Sequence, residues 1–498
     1  MNRCLYPAKV VVLGLLTAQV ISTTQVYLSN VDLYSKLISI RDAGYLAVPN
    51  QHVMDGLRDL GPAFFGGIFF TLTVGASLSL ISFVVAWVWL RLLSRKRLLL
   101  APFLLLWTGC LVGINLRGLC PMVNAYVLII PPVVFPATLR WAPEETKEKA
   151  WFNGVVHVLP ILLLALAWAS QLGNYMFVDI RDYLLLSNPL GRKVDNFYYE
   201  YTFYPAEVFK PLNNKILKTC SLEGVQQQSV AQSLERVLRN YDYLNTGPHE
   251  KVDLRITQEG KDLLFQNKGT TVLRTTPQDF FSRPGEVLRE YSSKTDPYVL
   301  FRRFTFLSLL VGFPVSLYVI VQALICAVAS WFVTLRSSSI IASVLCFLVG
   351  MLLLIPVHLS KAKELDVRDL SKAIESKRWQ DRVAALKIIQ DKQIDVTTFG
   401  TYQKMRTSPH IAERYLLARA LRVSRTPKAY DDLIAFLDDP SPNVVSMAFY
   451  ALGKKGDRRA IREIMTRLEA SDSWYNQWYA YKALRSLGWK QTRSRQKR

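Results

Sequence analysis

Catalysis or metal binding needs titratable groups at fixed spacing, and this sequence of 498 residues offers few. His52, His157, His249, His358 and His410 form no HxxxH or HxH pair, so no helix carries two imidazoles on one face. The six cysteines contain no CxxC pair; Cys110, Cys120, Cys326 and Cys346 lie in or beside apolar runs and read as packing residues. A Walker-type glycine loop, a nucleophile elbow and a metal-binding carboxylate pair are all missing from the chain. No catalytic residue, metal or cofactor is therefore assigned. The one polar constellation within apolar sequence is Asn115 and Arg117 in "GINLRGLC", with His157 in a later apolar run. A membrane transporter or lipid-modifying enzyme would line a polar cavity with such groups. Alternatively, Arg117 closes its run and can snorkel to the surface, while His157 hydrogen-bonds a neighbouring helix.

The elements that position these residues are mostly greasy. Half the residues are hydrophobic, yet the chain carries 61 Lys and Arg against 39 Asp and Glu, a net charge of +22. Both facts hold together because the two classes are segregated. Seven runs approach the ~20 apolar residues that a bilayer core requires: 8–28, 64–92, 98–116, 123–139, 155–172, 304–332 and 340–357. The first reads as a retained helix rather than a signal peptide, since no small-x-small site follows it. The fourth, "VLIIPPVVFPATL", holds Pro131, Pro132 and Pro136 and is expected to be kinked, short or re-entrant. Lys and Arg flanking the runs give conflicting orientations, and whether the fourth run crosses decides the parity. If the last two runs form a hairpin, the polar regions on either side of it share one face of a plasma (inner) membrane.

Residues 173–303 are too polar to cross. Phe197, Tyr199, Tyr201 and Phe203 alternate there, suiting a segment laid along the membrane surface or, in a sensor, a ligand-stacking platform. "SVAQSLERVLRNYDYL" predicts an amphipathic helix, and "KVDLRIT", "KDLLFQ" and "TTVLRT", parted by "QEG" and "NKG", predict a three-stranded meander.

From Leu359 onward, 29 basic residues face 16 acidic ones. "LDDPSPNVVSMAFYALGKKGDRRAI" places Val444, Ala448, Ala451 and Leu452 on one helical stripe, with Gly453 as the expected C-cap. "SDSWYNQWYAYKALRSLGW" repeats the pattern with Ala480, Ala483, Leu484 and Leu487, and Gly488 as the stop; "DRVAALKII" and "IAERYLLARALRV" are weaker copies. At Asp439, Pro440, Val444, Ala448, Ala451, Leu452, Gly453, Gly456 and Asp457 the chain resembles the HEAT-like repeats related to phycobilisome lyases, with Val445 where the pattern has Arg. The resemblance runs over about 365–489 and implies an α-solenoid, whose hairpins bury their stripes against neighbours and leave a surface for a partner. Lyase chemistry is not implied. Trp474, Tyr475, Trp478, Tyr479 and Tyr481 crowd the last repeat and are the candidate partner-binding residues, or else an end cap.

The expected fold is mainly α: a multi-pass membrane region over 1–172, a small soluble α+β insert over 173–303, a transmembrane hairpin over 304–358, a HEAT-like solenoid over 359–489 and a basic tail over 490–498. The leading reading is a non-enzymatic, membrane-anchored scaffold or assembly factor that recruits a protein partner through the solenoid. An anionic lipid surface is a further candidate partner for the basic tail; nucleic acid is not expected.

Overall fold

The computed structural model describes residues 2–143, 147–171, 173, 176–247, 251–361 and 367–493. The fold is mainly helical, with one small mixed sheet and a repeat stack at the C-terminal end. It divides into two units: residues 1–29, 60–176 and 296–356 form the first, and residues 30–59, 177–295 and 357–498 the second.

The apolar runs become helices of membrane-crossing length. Among the described residues six qualify by length and composition, Arg3–Asp42, Leu60–Arg91, Arg97–Asn115, Pro121–Trp141, Val299–Ala329 and Leu335–Leu359, while the apolar stretch Gly154–Ala169 is a shorter part of its helix, Lys147–Ala169. Leu172, the expected end of the fifth run, lies outside the described residues. Small residues set the packing of this unit. A Cβ on Gly75 would sit 2.3 Å from the Ala18 methyl, and one on Gly14 would sit 2.1 Å from Ser79 Oγ. Hydrogen bonds then hold the first two helices together where they touch: Ser22 and Thr71 hydroxyls meet at 2.9 Å, and Thr71 donates to Gln19 Oε1 at 2.7 Å.

The proline-rich segment is not cut short by its prolines. Pro121–Trp141 is one continuous helix of 21 residues with Pro131, Pro132 and Pro136 inside it. Pro131 cannot donate to the carbonyl four residues back, which is that of Val127. The Trp107 indole N–H donates to that oxygen instead, at 2.9 Å. A neighbouring helix thus replaces one hydrogen bond the prolines remove, and the helix persists.

In the second unit the sheet has five strands, β1 Lys218–Gly224, β2 Tyr243–Asn245, β3 Leu254–Glu259, β4 Asp262–Asn267 and β5 Thr270–Thr275, in the order β2-β1-β3-β4-β5. The expected meander is β3-β4-β5. Its second turn, between paired Asn267 and Thr270, places Lys268 and Gly269 at φ 49° and 81°, the positive pair a two-residue hairpin turn needs. The expectation of three strands falls short, because β1 and β2 add a parallel pair, linked by the amphipathic helix Gln228–Asn240. Leu234 and Leu238 of that helix are buried with Cys220, Ile256, Leu263 and Phe265.

The aromatic segment is largely helical. Asn188 caps the helix Pro189–Tyr201, its Oδ1 accepting from Gly191 N at 2.7 Å, with proline in the first turn.

The repeats stack through the helices Trp379–Asp391, Ile411–Ala420, Pro442–Lys455 and Trp474–Ser486. Before each, one short polar side chain accepts the backbone N–H two residues on: Ser376 from Arg378, Ser408 from His410, Asp439 from Ser441 and Ser471 from Ser473. The next ladder comes from within each helix. Arg382, Arg414 and Gln477 reach back to the carbonyls of Ser376, Ser408 and Ser471, and Arg382 and Arg414 also pair forward with Glu413 and Asp439 of the following repeat. Val445 stands at the same place in the third repeat and is buried. Gly453 is not the C-cap. The helix passes through it to Lys455, and Gly456 takes the left-handed cap at φ 77°. Gly453 serves packing instead, since a Cβ there would lie 2.9 Å from Ala483 Cα. Gly488 ends the last repeat at φ 82°. Residues 494–498 of the expected basic tail lie outside the described residues.

Candidate functional site: the lined face of the repeat stack

A solenoid offers its helices to whatever covers them. Here the cover comes from the chain itself. Asp179, the π-helical turn Arg181–Leu185 that follows it and the helix Pro189–Tyr201 meet the repeat helices with four charged residues, Asp179, Arg181, Asp182 and Asp195. Lys387 Nζ bonds Asp179 Oδ1 at 2.6 Å, and Asn443 Nδ2 donates to Asp195 Oδ2 at 2.8 Å. Arg181 bonds Asp182 Oδ1 through Nε and Nη2, at 2.9 and 2.7 Å, and lies 4.3 Å from the centre of the Tyr415 ring. Tyr199 packs on Tyr475 with ring centres 4.4 Å apart, and Tyr183, Trp379 and His410 stack in series at 5.6 and 4.9 Å.

The electrostatics are those of a dry contact. Asp179 and Asp195 are each 3 % exposed and Asp182 is fully buried. Burial pushes the Asp182 carboxyl above its usual range against the pull of Arg181 and Lys387. Burial raises Asp195 too, with Asn443 and Arg181 opposing it. For Arg181 burial works against the cation, but Asp182 outweighs it and holds the guanidinium protonated. Two cations therefore face three carboxylates. Such a cluster fixes the register of one element on another more than it adds net stability.

The last-repeat aromatics divide among separate neighbours and form no single exposed patch. Trp474, 3 % exposed, joins Leu37, Val53, Met54 and Leu57 in a small core. Tyr475 covers Tyr199, with Tyr479 edge-on to it at 5.1 Å. Tyr481, 1 % exposed, donates to Asp242 Oδ1 at 2.6 Å. Trp478 is half-buried and carries the ammonium groups of Lys482 and Lys210 at 3.7 and 5.1 Å from its ring centre. Truncating three of the five would thus disturb the unit before it touched any partner. Tyr199 is engaged by Tyr475, and Tyr201 packs on Phe197 at 5.0 Å. The Phe203 side chain lies outside the described residues.

In the first unit Asn115 and Asn124 exchange amide hydrogen bonds at 2.9 Å, and Asn115 Oδ1 also accepts from Cys120 N at 3.0 Å. This closes the loop after the helix Ala101–Asn115. Arg117 is exposed, and its charge helps Arg302 hold the Asp296 carboxyl below its usual range despite burial. His157 is half-buried on another helix, Lys147–Ala169.

Residues 43–59, which carry no motif, do much of the joining in the second unit. Asn50 Nδ2 lies 3.1, 3.0 and 2.9 Å from the carbonyl oxygens of Leu468, Glu469 and Ser471, and Asn50 N donates to Gln477 Oε1 at 2.8 Å. Tyr45 OH meets Glu235 at 3.1 Å and Arg493 at 2.9 Å. The signal was slight: the dipeptide "PN" after an apolar run marks a turn and says nothing of its distant partner.

A family model for HEAT repeats matches residues 400–487. No curated protein matches the chain.

Proposed function

We propose that this chain is a membrane-anchored scaffold or assembly factor whose repeat stack recruits a protein partner to a complex in the plasma membrane. HEAT repeats as a class mediate protein–protein interaction, and the string from Asp439 to Asp457 supports the phycobilisome-lyase type among them. Six helices of crossing length support the anchor. The carrying observation is that one side of the stack is already lined by residues 179–199, so a partner falls to the other helix layer, Pro427–Phe436 and Ala460–Ala470. There Arg458, Arg459 and Arg462 surround Ile461, Met465 and Trp489 in a shallow hollow, which suits a short acidic segment with apolar anchors.

The test is affinity purification of the full chain from membranes in mild detergent, beside Arg458→Glu/Arg462→Glu. Loss of a co-purifying protein with unchanged thermal stability supports the reading. Retention of every co-purifying protein by the double variant overturns it.

A further inference from the structure

Within the second unit a groove of about 1070 Å³ opens between the start of β1 and β2 and the last repeat helix. Its wall carries Lys210, Lys215, Lys218, Arg289, Lys482 and Arg485, against a single lining carboxylate, Asp242. That carboxylate is spent. Arg485 Nε holds Asp242 at 3.0 Å and the Tyr481 hydroxyl donates to the same oxygen.

Lys218 shows the imbalance best. Its residue is 4 % exposed, its ammonium donates to Lys215 O at 3.1 Å, and the Tyr243 ring centre lies 5.0 Å away. Of the nearby carboxylates, Asp242 belongs to Arg485, Asp253 to Lys36 and Glu207 to Lys210. Burial, with Lys36 adding repulsion, pushes the Lys218 ammonium down to about 8. Lys215 is lowered in the same way, by burial first and then by Lys36. A buried ammonium without its own counter-ion is costly unless something brings one.

The geometry points to a binding site for a phosphate-bearing anion, a phosphate ester or diphosphate group held by Lys218, Lys482, Arg289 and Lys215. Point-charge ammonium groups arranged around a space suit a tetrahedral, multiply charged oxyanion, whereas one carboxylate would leave most of the charge unanswered. The volume accommodates the group together with a small organic body. Base stacking is not the attraction, since two lysines lie against the Trp478 ring. Backbone does not form the cradle either: the helix Gln228–Asn240 presents its C-terminal carbonyls here, and Arg485 Nη2 takes that of Asn240 at 2.8 Å. Side chains carry the recognition.

The same chemistry comes from a soluble metabolite or a lipid headgroup, and the experiment separates the two. Calorimetric titration uses the full chain in neutral detergent with inorganic pyrophosphate, and the full chain in nanodiscs of phosphatidylcholine with and without phosphatidic acid. Saturable pyrophosphate binding supports a soluble phosphate ligand. Protection of Lys482 from acylation only in phosphatidic-acid discs supports a headgroup. Because Lys482 and Arg289 are exposed, Lys482→Glu/Arg289→Glu should fold as the parent does and lose at least tenfold in affinity. The proposal is overturned if neither probe engages the parent chain, or if the folded double variant binds as tightly.

Discussion

Asn443 and Asp195 share a hydrogen bond of 2.8 Å in a place where both side chains are almost fully removed from water. One belongs to the third repeat helix and the other to Pro189–Tyr201, so the bond ties the stack to its lining segment. Asn443→Ala leaves the buried carboxylate without its donor and should cost about 1–3 kcal/mol. Thermal unfolding of the detergent-solubilised chain measures it. Asp195→Asn, which keeps an acceptor for Asn443, should cost less.

The acid pair Asp182 and Asp195 sets a pH trend of defined sign. Both carboxyls are raised on folding, burial being the main cause, so the native state holds protons that the unfolded chain releases. Their contribution to stability therefore falls as pH rises from the ordinary carboxylate range to the raised values, and returns on mild acidification. The melting temperature of Asp182→Asn should show a weaker dependence than the parent over that window.

Lys218 works in the opposite direction. Burial, with Lys36 adding repulsion, lowers its ammonium to about 8 when folded, below the ordinary lysine range and against the pull of Asp242, Asp253 and Glu207. Without a bound anion, stability should rise as pH climbs through 8 towards the unfolded lysine value, because only the unfolded chain still binds that proton. Pyrophosphate affinity should fall over the same interval. Lys218→Met should flatten both curves, read by thermal melting and by titration calorimetry.

Trp107→Phe keeps the ring and removes the donor to Val127 O. The carbonyl freed by Pro131 then has lost that partner in apolar surroundings, at a cost of about 1–2 kcal/mol. Adding Pro131→Ala restores a backbone donor within the helix and should recover much of the loss in melting temperature.

The thiols of Cys4 and Cys326, both buried, lie 2.8 Å apart in the first unit. Mild copper–phenanthroline oxidation should join them within one chain, lowering the intact mass by two hydrogens. Cys4→Ser should abolish the shift, and a chain that retains its full mass after oxidation would contradict this helix packing.

Local signals were the legible ones. The stripes at Val444–Leu452 and Ala480–Leu487 disclose the stack, and the turns at Gly260 and Gly269 disclose β3, β4 and β5. β1 is hard to read because its alternation offers only two apolar residues, Cys220 and Leu222, and β2 has only three residues. The helix Pro189–Tyr201 is announced by Asn188 before Pro189, a cap signature, rather than by its rings. Gly453 has the sequence position of a cap, but a close approach to Ala483 is what requires it. The lysine groove could not be seen at all, since Lys218, Arg289 and Lys482 converge from three distant segments. Burial of Trp474 and Tyr481 depended likewise on Leu37 and Asp242, far away in sequence.

A stack of hairpins buries its turns only against what lies beside them. The turn between Ala460–Ala470 and Trp474–Ser486 finds its donor far outside the array: the Asn50 amide, 418 residues upstream of Leu468, reaches the carbonyls of Leu468, Glu469 and Ser471. Removing that one side chain would leave main-chain acceptors of the repeat to find other donors. The closing turn of the stack is thus held by a residue that belongs to none of its hairpins.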